Sequence, residues 1–307
     1  MARTKRRGRR IDGWLCLDKP PGMTSTDVVN QVKRITRAAK AGHGGTLDPI
    51  ATGVLPVALG EATKTVAYVM DGTKHYRFTA RFGEARDTDD LEGTVVSTSE
   101  ARPDDDAIRA ALPAFVGTTL QVPPRYAAVK VAGERAYDLA RRGEDVVLEP
   151  RPVTIHKLEM TGRPSADLAE FEMVSGRGAY VRAVVRDLGE RLGCHAHVAA
   201  LRRTRVGGFD EQAAISLETL ERLTLDDALP QALLSVAVAL EDVPSLALTE
   251  PQAERLRSGQ TIRVVPQLVV GEVREEATIR AMAAGRVVAL ARLDGVELSP
   301  LRVFNSL

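Results

Sequence analysis

One acidic residue, Asp48, stands in a run of small, turn-forming and apolar residues: Gly42-His43-Gly44-Gly45-Thr46-Leu47-Asp48-Pro49-Ile50-Ala51-Thr52-Gly53-Val54-Leu55-Pro56. Glycines before the aspartate and a proline after it suit an irregular, tightly held backbone. No basic residue lies beside Asp48 in the sequence, so any partner must come from elsewhere in the fold. A carboxylate held this way is either a solvated turn residue or a catalytic group. As a catalytic group it would act through its charge, as a nucleophile or as a stabiliser of developing positive charge.

Other reactive residues point to less. Cys194-His195-Ala196-His197 has the composition of a metal site. On a helix, however, residues two apart diverge, and zinc patterns need more ligands at set spacing. No metal is expected there, and His75 and His156 read as ordinary surface or core histidines. Neither glycine-rich phosphate motif occurs, so no nucleotide cofactor is expected.

The elements that must position Asp48 are legible as periodicity. Residues 13–17 read as a short strand ended by Lys19-Pro20-Pro21-Gly22. Ser25 then reads as an N-cap, with Asp27 in the first turn and Val28, Val29, Val32 and Ile35 on one helix face. Residues 75–82 alternate strictly. Tyr76, Phe78, Ala80 and Phe82 share one strand face; Arg77, Thr79 and Arg81 share the other. Residues 104–115 read as a helix broken near Pro113, and 170–174 as a strand. After a turn at 175–178, Val181, Val184, Val185, Leu188 and Leu192 line a helix, with Arg182 and Arg186 one turn apart on another face. Tyr180 and Arg182 therefore fall at a strand-to-helix junction, where site residues often sit.

Several of these segments together resemble the TruB-type tRNA pseudouridine synthases. The Asp48 run follows the family pattern Gly-His-x-Gly-x-Leu-Asp-Pro-x-Ala-Thr-Gly-x-Leu. Leu17-Asp18-Lys19-Pro20-Pro21-Gly22-Met23-Thr24-Ser25 is similar to its entry motif. Gly60-Glu61-Ala62-Thr63-Lys64, Lys74-His75-Tyr76-Arg77 and Asp87-Thr88-Asp89-Asp90 follow in order, then Gly178-Ala179-Tyr180-Val181-Arg182 and Ala196-His197-Val198 through Leu201-Arg202-Arg203. The likeness runs from about Ile11 to about Val243.

The resemblance implies an α+β fold with a long mixed, mostly antiparallel central sheet flanked by helices, and a small β-rich, PUA-like C-terminal domain. It implies isomerisation of uridine 55 to pseudouridine in the T-loop of tRNA. The bond from ribose C1′ to uracil N1 is cut and C1′ is joined to C5, with no redox step or group donor. The nucleotide must first leave its stack, at a cost of a few kcal/mol. By the same resemblance Asp48 is the essential carboxylate. Arg182 orients it by a charge-assisted hydrogen bond, and Asp90 orients Arg182 from behind. Tyr76 stacks on the flipped uracil, Tyr180 and Leu201 wall the pocket, and His43 fills the space the nucleotide leaves. Lys19, also assigned to the substrate site, braces the aspartate loop. Two departures stand out: Gly44, where a bulkier residue is common and whose absence predicts a looser loop, and Ala127 in place of a serine. The implied partner is the tRNA T-stem-loop, bound by a monomer without a cofactor. Rival readings are a synthase for another RNA, such as ribosomal RNA, and an RNA-folding module whose turnover is secondary.

Composition sets the domain plan. The chain has 307 residues, 42 basic against 41 acidic, so a basic RNA surface must be local. Cys16 and Cys194 are the only cysteines, which suits a reducing cytoplasm. No segment has the unbroken apolar length of a membrane span, and no membrane partner is expected. Residues 1–10 read as a basic disordered tail, 11–243 as the catalytic domain and 244–307 as the C-terminal domain. Within it, 251–258 reads as a helix and 261–265, 286–292 and 301–304 as strands. Residues 121–152 carry Lys130, Arg135, Arg141 and Arg142 amid Tyr126 and Tyr137. They read as a solvated hairpin-plus-helix or as an RNA-clamping insert.

Overall fold

A computed structural model describes residues 8–127, 129–131, 134–135, 142, 147–271 and 277–304. The chain forms two compact units.

One unit comprises 48–52 and 73–205. Its strands lie in the order Ala196–Val206, Lys74–Phe82, Leu168–Ser175, Arg151–Ser165, Gly117–Gln121. The last three pairings in that order are antiparallel. The alternation in 75–82 is realised: Phe78, Ala80 and Phe82 are buried and Arg77 is exposed. Phe78 stacks on its register partner Phe171, with ring centroids 5.2 Å apart. Tyr76 occupies the same face near the strand's start, where burial is partial. The helix Asp105–Ala111 is capped by Asp104, whose carboxylate accepts from Ala107 N at 2.7 Å. It gives way to a 3-10 turn at Leu112–Phe115, at the expected proline. The helix Val181–Arg191 buries Val181, Val184, Val185 and Leu188, and Arg182 with them rather than on a solvent face.

The other unit comprises 1–47, 53–72 and 206–307. Strand Gly13–Lys19 pairs antiparallel with Thr52–Leu59, which also pairs with Ala41–His43. Trp14, Cys16, Val54, Ala58, Phe209 and Leu240 share one core. The helix Ser25–Thr36 begins one residue earlier than expected, because Thr24 and Asp27 form the capping box. Ser25 is turned inward: its hydroxyl donates to Leu47 O at 3.1 Å and accepts from Leu47 N at 2.8 Å. The basic tail does not run loose through Arg10, since Arg9 N donates to Arg37 O and Arg9 O accepts from Ala39 N. Residues 1–7 lie outside the described set.

Residues 245–303 carry a separate five-stranded sheet, with Leu246, Leu256, Ile279 and Leu298 in its own core. The expected helix is Glu250–Arg257. The expected strand 261–265 is cut to Ile262–Arg263, since a 3-10 turn begins at Pro266. Among the described residues, no helix is long and apolar enough to cross a membrane.

Candidate active site

Asp48 opens a tight turn in which Ala51 N donates to Asp48 O at 3.1 Å. Four residues on, Thr52 Oγ1 donates to Leu201 O at 3.4 Å, tying this turn to strand Ala196–Val206. The turn therefore rests on the sheet while the Asp48 side chain keeps 30 % of its surface exposed.

Arg182 is the partner that sequence adjacency could not supply. It sits in the first turn of helix Val181–Arg191, and its side chain is 4 % exposed. Nη2 donates to Asp48 Oδ1 at 2.9 Å, and Nε lies 2.9 Å from Asp48 Oδ2. Nε misses hydrogen-bond angles, so the contact is one hydrogen bond plus one close charge contact. Nη1 donates to Thr88 O and Nη2 also to Tyr126 O, both at 3.0 Å. Behind the guanidinium, Asp90 Oδ2 is 3.7 Å from Nε. Asp90 is itself fixed by Thr88 Oγ1 at 2.6 Å and Glu92 N at 3.1 Å. A buried guanidinium between two carboxylates, with a proton of each terminal nitrogen on a backbone carbonyl, is held in a defined orientation.

Two tyrosines flank the carboxylate. Burial raises the Tyr76 phenol above its ordinary value; the nearby Arg203 guanidinium pulls it back, and the Asp48 charge adds a smaller push upward. Burial raises the Tyr180 phenol too, again with a contribution from Asp48. Both stay neutral near pH 7. Arg203 is 2 % exposed and hydrogen-bonds the Tyr76 side chain. Arginine only donates, so the phenol oxygen is the acceptor in that bond. Leu201 is 8 % exposed. With Ile50 and Thr52 it edges an open cleft of about 450 Å³ that continues along Arg77, Glu170 and Arg202.

The structure thus brings together Asp48, Tyr76, Asp90, Tyr180 and Arg182, with Leu201 tied to the same turn. His43 and Lys19 belong to the other unit. His43 ends strand Ala41–His43, is partly exposed, and accepts a long bond from Gly45 N at 3.4 Å. Lys19 is wholly buried and donates to Pro20 O at 2.8 Å. The loop beside His43 is not looser for having Gly44. A Cβ there would lie 2.6 Å from Val69 Cγ1 and 3.3 Å from the Trp14 ring, so the missing side chain is matched by close packing. Ala127 is buried without a hydroxyl.

The His195 and His197 pair lies at the start of a strand, not on a helix. His195 Nε2 is 2.8 Å from Ser97 Oγ, and His197 Nδ1 is 3.0 Å from Glu84 O. Each ring is engaged with a different neighbour. Of the insert, Tyr137 and Arg141 lie outside the described residues, as do the side chains of Lys130 and Arg135 and any helix there. Arg142 is exposed.

Three contributors escaped the sequence reading: Arg203, Thr88 and Gln121. Arg203 shares a strand face with Leu201, but the sequence does not announce strand Ala196–Val206 itself. Thr88 acts through its carbonyl and hydroxyl, which residue type alone does not flag. Gln121 has no sequence signal beyond its place before Pro123-Pro124.

Comparison with known proteins gives this geometry its context. Residues 33–181 match the TruB family pseudouridylate synthase N-terminal domain, and 182–241 match the tRNA pseudouridylate synthase B C-terminal domain. A protein of Gluconacetobacter diazotrophicus named tRNA pseudouridine synthase B is 53% identical, over 97% of this chain and 99% of its own. The protein of that name from Caulobacter vibrioides is 51% identical, over 99% of each. Among solved structures, a chain of a Cbf5-Nop10-Gar1 complex is 25% identical and superposes with a TM-score of 0.77, over 95% of this chain and 85% of that one.

Proposed function

This chain belongs to the TruB family of tRNA pseudouridine synthases, and on that premise we propose how its residues carry the reaction on uridine 55 of tRNA. The enzyme is an isomerase with the pseudouridine synthase fold. Asp48 is its catalytic carboxylate. As uracil N1 leaves ribose C1′, positive charge grows on the sugar, and a fixed negative charge beside C1′ stabilises it. The detached base then turns and C5 bonds to C1′; the C5 proton is lost and N1 gains one.

Arg182 holds Asp48 in position and Asp90 holds Arg182. Tyr76 gives the everted uracil an aromatic face, worth ~1–3 kcal/mol. Tyr180 and Leu201 wall the pocket, His43 fills the gap left in the RNA loop, and Lys19 braces the aspartate loop. The substrate element is the T-stem-loop, read largely by shape and by unstacked nucleotides. Residues 244–307 form a PUA-like RNA-binding domain, 121–152 clamp the RNA, and the enzyme works as a cytoplasmic monomer.

The observation that carries this reading is the half-open carboxylate of Asp48 backed by a buried, fully oriented guanidinium. The test is to incubate the protein with an unmodified tRNA transcript and map pseudouridine by carbodiimide primer extension. One new stop, at the T-loop uridine, is expected. A stop elsewhere, or on ribosomal RNA alone, would replace the substrate assignment.

A further inference from the structure

Three consecutive anchors tie residues 121–126 to the helix that carries Arg182. Gln121 closes strand Gly117–Gln121, on the rung opposite Arg151. Its side-chain amide, in a residue 5 % exposed, reads both backbone groups of Tyr180: Oε1 accepts from Tyr180 N at 2.9 Å, and Nε2 donates to Tyr180 O at 3.2 Å. Arg186 Nη2 donates to Val122 O at 2.9 Å. Arg182 Nη2 donates to Tyr126 O at 3.0 Å.

Tyr180 is the N-cap residue of helix Val181–Arg191, and its own side chain makes no capping bond. Its carbonyl accepts the first helical bond, from Val184 N at 3.1 Å. Whatever fixes the Tyr180 peptide therefore fixes where the helix starts, and with it the directions of the Tyr180 ring and of Arg182 two residues on. We propose that Gln121 is a positioning residue for the Asp48–Arg182 pair, acting through the Tyr180 backbone. Among the described residues its side-chain hydrogen bonds go to the Tyr180 backbone and not to Asp48. The amide is suited to the task because only a side chain offering one donor and one acceptor side by side can meet a peptide N–H and C=O together. The inference rests on the assignment of Asp48 and Arg182 made above.

The test compares Gln121→Met and Gln121→Glu with the unaltered enzyme, and Asp48→Asn runs beside them. Single-turnover rates with excess enzyme and tRNA affinity are measured separately. Gln121→Met keeps the volume and loses both bonds. Its maximal rate should fall about ten- to a hundredfold, the scale of a sub-ångström to ångström misplacement, while tRNA affinity stays within about threefold. Gln121→Glu supplies a second readout. As an acid it mimics the amide, its O–H donating to Tyr180 O; as a carboxylate it repels that carbonyl. Its rate relative to the unaltered enzyme at the same pH should therefore recover as pH is lowered, and Gln121→Met should show no recovery. If Gln121→Met does not fold, the acid recovery of Gln121→Glu decides. Rates within about twofold of the unaltered enzyme, a loss confined to tRNA affinity, or no acid recovery would each overturn the proposal. An active Asp48→Asn would instead overturn the reading of the site itself.

Discussion

Arg182 grips Asp48 from one side only, with Nη2 and Nε each 2.9 Å from a different carboxylate oxygen, and leaves the carboxylate 30 % exposed. The buried flank fixes direction and the open flank leaves room for a sugar. Lysine at 182 would keep the charge but could not also hold Thr88 O and Tyr126 O. Arg182→Lys should lower the single-turnover rate about a hundredfold while tRNA affinity stays near that of the unaltered enzyme. Release of tritium from tRNA labelled at uracil C5 measures this directly. A rate close to the original would mean that charge alone suffices.

Tyr76 couples the site to a second buried guanidinium. Tyr76→Phe keeps the aromatic face but leaves Arg203 without its phenol acceptor, which should destabilise the fold by about 1–3 kcal/mol. Tyr76→Leu removes the face as well and should weaken productive binding of the base by a further ~1–3 kcal/mol. Thermal melts separate the first effect and single-turnover rates the second. Equal rates for the two variants would remove stacking from the account.

The features legible in the sequence were those with a strong local pattern. The strict alternation through Phe82 and the apolar periodicity behind Arg182 gave the strand and the helix that flank the carboxylate. Asp48, Tyr76, Asp90 and Arg182 were named through family motifs, because nothing local distinguishes a pairing across 134 residues. Strand Ala196–Val206 escaped because Ala-His-Val-Ala-Ala-Leu suits helix or strand, and its sheet context decides. Strand Arg151–Ser165 escaped because bulges break its alternation. The N-cap shifted by one residue because Thr24 and Ser25 are both good caps. Ser25 has a tertiary partner in Leu47 that no local rule contains.

Asp89 gives a pH signature. Its backbone is left-handed at φ 60, it is paired with Arg186 Nη1 at 3.3 Å, and burial raises its carboxyl from 3.8 to about 6. The folded chain therefore holds a proton at Asp89 that the unfolded chain releases at lower pH. This contribution to stability is fully present below about pH 4 and is lost as pH rises through about 6, to an extent on the order of 3 kcal/mol. Asparagine tolerates the same backbone and cannot ionise. Denaturant unfolding from pH 4 to 7 should show the unaltered enzyme losing stability relative to Asp89→Asn as pH rises. Parallel curves would show that the carboxyl titrates alike in both states.

The most direct measurement uses Asp48→Asn with an unmodified tRNA transcript, reading bound RNA by filter retention and pseudouridine by carbodiimide mapping on the same samples. The side chain keeps its shape and loses its charge. Retention should match that of the unaltered enzyme, with no pseudouridine formed at the T-loop uridine. Pseudouridine at that position would contradict the assignment of the chemistry to the Asp48 carboxylate.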